Sequence, residues 1–372
     1  MRPYWTRGLA LWTLCVGVIL LVRVPAGTAE DDPGAEIKRR LDQWKNGPHG
    51  DLLFQGVQVD APAATAGPKA VALCVGVDYA NKDHYGEKAP RLLGCVQDAV
   101  AVGNLARTAG FDVTLMTDER ATTEAFTKFL DQQAQTLKAG DFLWVYFAGY
   151  GGQMDVSGQP THDILAFYNR MLVDDELFES WTHFGTPGVR IVLVTDSGNK
   201  GTLHLTFPLI QKVIAGPPSA IGTALDKVPG QRAAMATYTA NDVHNKQGQP
   251  VEWPAVRIRR LVKGEPEEFY QSSVYRDVDN RKLAGRKAAE GAMKVRVLHL
   301  AASPADGPAI EINARGVYTS ALEDAWKSGD AVKTYDQLQK LVAEKTQGQS
   351  PPTKIGYGPK DEAFDAQRPF AR

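Results

Sequence analysis

Two apolar segments of this chain end in turns of small and polar residues, and each turn offers a few groups able to do chemistry. The first runs Leu143-Trp144-Val145-Tyr146-Phe147-Ala148 into Gly149-Tyr150-Gly151-Gly152-Gln153. The second runs Arg190-Ile191-Val192-Leu193-Val194-Thr195 into Asp196-Ser197-Gly198-Asn199. Ser197 supplies a hydroxyl, which becomes a nucleophile only beside a base. Tyr150 would have to be that base, and an unperturbed phenol titrating near pH ~10 does the task poorly at neutral pH. His162 and His204 are the histidines closest in sequence to the turns; His162 reads as a residue of the loop after the first turn and His204 as one on the helix or loop leaving the second strand. Cys15 lies in the N-terminal apolar run, Cys74 inside an apolar strand and Cys95 just before a helix. Cys74 and Cys95 are therefore expected to be buried small apolar residues, with no spacing that indicates a disulfide. No zinc spacing, phosphate-cradling loop or dinucleotide fingerprint is present, and no cofactor is expected.

The elements that position these turns alternate between strand and helix. Val71 to Tyr79 reads as a buried strand, Val96 to Ala109 as a helix stopped by Gly110, and Phe111 to Met116 as a second strand. Phe126, Phe129, Leu130 and Leu137 have helical spacing within Thr122 to Lys138. The two motif strands are continuously apolar, the mark of strands covered on both faces. Between them Asp174-Asp175-Glu176 opens a helix, its acids suited to the positive end of the helix dipole. A fifth strand is predicted over Val295 to Ala301, a helix over Gly316 to Lys327, and another opened by the capping-box pattern Thr334-Tyr335-Asp336-Gln337. Such alternation implies an α/β sandwich with a mostly parallel sheet, whose sites form beyond the carboxyl ends of the strands.

Domain organisation follows from composition. Residues 1–29 carry Arg2 and Arg7, an apolar run from Leu9 to Val22 and Ala26-Gly27-Thr28-Ala29, the layout of a signal peptide; its apolar run is short for a bilayer span. Export to a periplasmic or extracellular location is expected, in preference to anchoring in a membrane. Residues 30–68 read as a linker, 69–372 as the domain, and 216–293 within it as an insertion or long loop rich in Pro, Gly and charge. The full chain has a formal net charge of −1, and the signal segment holds arginines but no acid, so what remains is more acidic. Nucleic acid and anionic lipid are thereby disfavoured as partners.

The two turns resemble the catalytic motifs of the caspase-like cysteine peptidases, in the metacaspase and orthocaspase branch, which read S-G-H-G-G-Q and D-[SC]-C-H-S-G. Four further segments resemble the same family in the same order: Ala72 to Tyr79, Leu93 to Ala99, Val173 to Leu177 and Gly316 to Leu322. The resemblance implies a caspase-like three-layer α/β sandwich. It puts Tyr150 where the family has histidine and Gly198 where it has the nucleophilic cysteine, so the dyad is absent and an inactive pseudoprotease is the expectation. It also implies that the amides of Gly151 and Gly198 are oxyanion-hole donors. Asp98 and Asp196 match the acids that recognise Arg or Lys, although each also suits an ordinary capping position. Asp174 and Asp175 match part of a calcium-binding set, but Leu205 stands where another acid is expected, and helix capping is the reading preferred for the pair.

Three functional readings follow. In the first, the protein is catalytically inactive and binds basic peptide segments, or a protein partner with exposed Arg or Lys, through Asp98 and Asp196. In the second, Ser197 makes it a live endopeptidase of Arg/Lys specificity. In the third, its role is structural. Of the basic residues Arg257, Arg259, Arg260, Arg281, Lys282, Arg286 and Lys287, a solvated loop is expected, with self-docking into the acidic pocket as the other state open to them.

Overall fold

The computed structural model of the chain describes residues 67–86, 89, 91–155, 161–198, 256–261, 265–271, 275, 283–303, 309–312, 314–327, 332–346 and 352–371. The expected signal peptide, nearly all of the linker, and His204, Leu205, Arg281 and Lys282 lie outside them. Among the described residues no helix is long and apolar enough to cross a membrane.

The elements are β1 (Ala70–Gly76), α1 (Cys95–Thr108), β2 (Asp112–Thr117), α2 (Thr123–Thr136), β3 (Phe142–Ala148), β4 (Gly151–Met154), β5 (His162–Ala166), β6 (Met171–Val173), α3 (Asp174–Thr182) and β7 (Arg190–Asp196). Then come β8 (Val256–Ile258), α4 (Glu265–Tyr270), α5 (Arg286–Ala292), β9 (Arg296–Ala301), β10 (Ile310–Ile312), β11 (Arg315–Gly316), α6 (Val317–Lys327), α7 (Tyr335–Thr346), β12 (Thr353–Tyr357) and α8 (Glu362–Ala366). The central sheet has six strands in the order β12-β9-β7-β3-β1-β2. All neighbours are parallel except β12, which runs antiparallel on β9 and closes one edge.

The continuous hydrophobicity of β1, β3 and β7 serves two separate cores. Leu73, Val145, Phe147 and Leu193 face the layer that holds Phe126 and Leu130 of α2 and Trp181 of α3. Their alternates Cys74, Trp144, Tyr146 and Val194 face the layer of Val102 in α1, Leu322 in α6 and Leu338 in α7. The result is the three-layer α/β sandwich expected, because a parallel sheet is stable when helices cover both its faces. Trp144 is fully buried and stacks on Phe370 at 4.0 Å between ring centroids, which pins the C-terminal residues to the sheet.

Helix starts are capped from several directions. Thr122 caps α2 through its side chain, accepting from the Ala125 amide at 3.1 Å. At α1 the cap comes from the end of β1: Asp78 Oδ1 accepts from the amides of Cys95 at 2.7 Å and Val96 at 3.3 Å. At α7 half of the predicted box forms, with Thr334 Oγ1 accepting from the Gln337 amide, while the Gln337 side chain reaches the amide of Lys333 instead. Cys74 and Cys95 are free and buried, as expected, and burial pushes the Cys74 thiol up to about 12.

His299 on β9 bonds Thr195 Oγ1 on β7 at 2.8 Å. Burial first, and the nearby Arg286 charge second, lower its pKa to about 4. A folded-state value below the unfolded one means that the unfolded chain binds more protons between pH ~6.5 and about 4. Stability from this residue is thus present above pH ~6.5 and lost as pH falls through about 4. Chemical denaturation across that range should show His299→Gln with a flatter pH dependence than the wild type.

Candidate functional site

The register of the central sheet brings the two turns together. Ala148, the last residue of β3, pairs with Asp196, the last of β7. Tyr150-Gly151 and Ser197-Gly198 therefore leave adjacent strands side by side at their carboxyl ends. The amides of Gly198 and Gly151 converge on one acceptor, the carbonyl oxygen of Arg259, at 2.7 and 3.2 Å. Two amides aimed at one carbonyl form the arrangement that stabilises an oxyanion in acyl transfer.

Arg259 belongs to an extended segment laid through this cleft. Before it, β8 pairs antiparallel with β10, Ile258 opposite Ile310, and the Arg259 amide donates to Ala309 O at 3.0 Å. After it, Arg260 bridges to Gly151 and the Leu261 amide donates to Gly151 O at 2.9 Å. The segment is gripped by backbone on both sides of Arg259, the way a peptide adds as a strand to a sheet edge.

The Arg259 side chain is wholly buried among acids from three elements. Its Nη2 lies 2.5 Å from Asp98 Oδ2 and 3.3 Å from Glu311 Oε2, and its Nη1 lies 3.0 Å from Asp196 Oδ2. Asp98 also accepts from Arg315 Nε at 2.7 Å and from the Gly316 amide at 2.8 Å. Asp196 Oδ2 accepts from Thr319 Oγ1 at 2.6 Å. Burial opposes the Arg259 charge, but the surrounding acids outweigh it and hold the guanidinium well above its ordinary value. Burial pushes the Asp196 carboxyl up, against the pull of Arg259.

Two glycines make the fit sterically feasible. A Cβ on Gly316 would stand 2.1 Å from Asp196 Oδ2 and 2.6 Å from Arg259 Nη1, so only a bare backbone can floor this pocket. A Cβ on Gly198 would stand 2.9 Å from the Arg260 Cβ and 3.1 Å from Arg259 O. Any side chain at Gly198 would press on the segment lying over it.

The Caspase domain family matches residues 69–356 of this chain. The chain belongs to the caspase-domain family. Its fold is similar to the crystal structure of a protein from Geobacter sulfurreducens, with 21% identity and a TM-score of 0.61 over 82% of this chain and 98% of that one. The crystal structure of Caspase-1 from Spodoptera frugiperda also aligns, at 11% identity and a TM-score of 0.44 over 77% of this chain and 88% of that one. A comparison with curated proteins finds no match.

Within this caspase domain the structure joins Gly151, Ser197, Gly198, Asp98 and Asp196 in one cleft. Tyr150 is buried in the same core cluster as Met154, Leu261 and Tyr275. Ser197 is buried too, and its Oγ has no hydrogen-bond partner among the described residues. His162 pairs with Met154 at the end of the β4–β5 hairpin away from the Gly151–Leu165 pair, three residues or roughly 10 Å along the strand. Its pKa is raised, chiefly by the bond from Nδ1 to Asp174 Oδ1 at 3.0 Å.

Several expectations need correction. Asp98 and Asp196 do not cap their own elements: Asp78 caps α1, whereas Asp98 and Asp196 accept the Gly316 and Thr319 amides at the start of α6 at 2.8 and 3.2 Å and also meet the buried Arg259 guanidinium. The solvated-loop reading fails for Arg259 and Arg286, which are drawn into acid clusters, whereas Lys287 is exposed. The helix-start reading of Asp174 and Asp175 holds in part: both lie in the first turn of α3, Asp174 Oδ1 accepts from the Asp175 amide at 3.0 Å, and Val173 rather than either acid is the N-cap residue, while both acids also face His162 and Arg286. Glu311, Thr319 and Arg315 were missed as pocket residues. Thr319 lies inside a quoted motif, while nothing local distinguishes Glu311.

Removing Arg259 would leave Asp98, Asp196 and Glu311 facing one another without their shared cation. Stripping one partner from a buried ion pair costs about 3–5 kcal/mol. Urea denaturation should show Arg259→Ala destabilised on that scale, and less so when Asp196→Asn removes one of the stranded charges.

Proposed function

We propose that this caspase-domain protein hydrolyses no peptide bond and that its cleft is a receptor for an extended segment with a central arginine, a place taken in cis by residues 256–261. The observation that carries this reading is the double grip on Arg259. Its guanidinium lies among Asp98, Asp196 and Glu311, and its carbonyl oxygen lies between the amides of Gly198 and Gly151. The carbonyl so held belongs to the peptide bond between Arg259 and Arg260.

Cutting that bond needs a nucleophile at the carbonyl carbon and a base to activate it. Gly198 presents neither sulfur nor oxygen, and Tyr150 offers a buried phenol in place of an imidazole. Among the described residues the alternative with Ser197 as nucleophile finds no support from His162, which is engaged with Asp174 along the hairpin. Recognition without cleavage is the chemistry that remains. A guanidinium fork meets carboxylates through charge-assisted bonds, and a lysine, a point charge on a flexible stem, would match this pocket less well. An external Arg-bearing partner must displace the internal segment, so its apparent affinity depends on how readily residues 256–261 withdraw.

The purified chain should release no product from a panel of Arg- and Lys-containing peptides, with or without calcium; turnover abolished by Ser197→Ala would overturn the reading. In calorimetry, Arg259→Ala should bind a peptide copying residues 256–261 at least tenfold more tightly than the wild type does. Adding Asp196→Ala should remove that gain. A folded Arg259→Ala protein that ignores the peptide would sink the receptor claim.

A further inference from the structure

A second guanidinium sits in a different acid cluster. His162 Nδ1 lies 3.0 Å from Asp174 Oδ1 and 3.8 Å from Asp175 Oδ2. One ligand-capable atom from each of the three residues lies within 4.8 Å of the others. An imidazole with two carboxylates is a donor set open to a divalent cation, and the resemblance assigns Asp174 and Asp175 to calcium in some relatives.

Arg286, the first residue of α5, is lodged against this set. Its Nη1 lies 3.0 Å from Asp163 Oδ2 and 3.6 Å from Asp174 Oδ2, and its backbone amide donates to Asp175 Oδ1 at 2.7 Å. The guanidinium carbon stands 5.1 Å from the Phe178 ring centroid and 5.3 Å from that of Tyr357, a cation–π contact on each. Nη2 also donates to the Tyr357 hydroxyl at 3.2 Å. One arginine thus touches three acids and two aromatic rings.

The residues as they stand do not fit calcium, which takes six to eight oxygen ligands. Asp174 Oδ1 is committed to His162 and to the Asp175 amide, and Asp174 Oδ2 faces Arg286. Asp175 Oδ1 takes the Arg286 amide. Asp163 Oδ1 takes Gln153 Nε2 at 2.6 Å, and its Oδ2 takes Arg286 Nη1. A metal would have to break most of these bonds and expel a guanidinium held by two rings.

We propose that Arg286 is a built-in counter-ion standing in the place of a divalent cation, so that the β5–β6–α3 corner is held by a covalently attached charge and is indifferent to calcium. A bound ion dissociates when its concentration falls. A guanidinium on α5 stays while the helix stays.

The test is calcium itself, added to the full chain and to its variants, with the unfolding midpoint and calorimetric binding as readouts. The wild type should show no saturable calcium heat and no midpoint shift at millimolar calcium. Arg286→Gln should lower the midpoint by several degrees and gain saturable calcium binding at least tenfold above the wild type, and Asp174→Asn in that background should remove it. Calcium binding by the wild type that Asp174→Asn abolishes would overturn the proposal. So would a folded Arg286→Gln protein blind to calcium, which would reduce Arg286 to an ordinary ion pair. Should Arg286→Gln fail to fold, Arg286→Lys keeps the charge: folded and calcium-indifferent is the expected result, and calcium binding by it would refute the claim.

Discussion

The cleft depends on one buried cation. Asp98 comes from α1, Asp196 from the end of β7 and Glu311 from β10, and each carboxylate has given up bulk water to lie near the others. Ions buried in this way cost several kcal/mol each unless an opposite charge meets them with good geometry. Arg259 is the charge common to all three, while Arg315 assists at Asp98 alone. Pocket and segment are therefore coupled through this guanidinium.

Backbone geometry and charge reinforce each other in this arrangement. The pairing of β8 with β10 sets Arg259 over the acids, and the amides of Gly151 and Gly198 then find its carbonyl oxygen. Absence of a side chain at Gly198 has a double consequence. It leaves no side-chain atom at that position, and it opens the space in which Arg259 and Arg260 lie. Gly316 plays the matching part on the guanidinium side, where a methyl group would occupy the position of a carboxylate oxygen.

Arg259 and Arg286 come from the same stretch between β7 and β9, and each delivers a guanidinium to a different acid cluster. The elements among its described residues, β8, α4 and α5, are short. Its contribution to the domain is charge placed where the sandwich has gathered carboxylates, with aromatic rings adding to the hold on Arg286.

Much of the sandwich was legible in the residues. Continuous apolar runs identified β3 and β7 as doubly covered strands and β1 as a buried one, and helical spacing located α1, α2 and α6 to within one or two residues. The short strands β4, β5, β6, β8, β10 and β11 and the antiparallel edge β12 were not read, because two to five residues carry too little periodicity to stand out from a loop. The two turns and the acids Asp98 and Asp196 could be named from motif order, which is a local property. Which cation would meet them was not local: Arg257, Arg259 and Arg260 look alike in sequence, and the register of Ile258 on Ile310 is what selects Arg259. Asp98 and Arg259 are 161 residues apart, and Asp98 and Arg315 are 217 apart. Sequence alone determined the layers and the absence of sulfur or imidazole in the turns. Only tertiary structure decided that the pocket is filled from within, because a buried charge is satisfied by whatever opposite charge the completed fold brings within about 3 Å, at any distance along the chain.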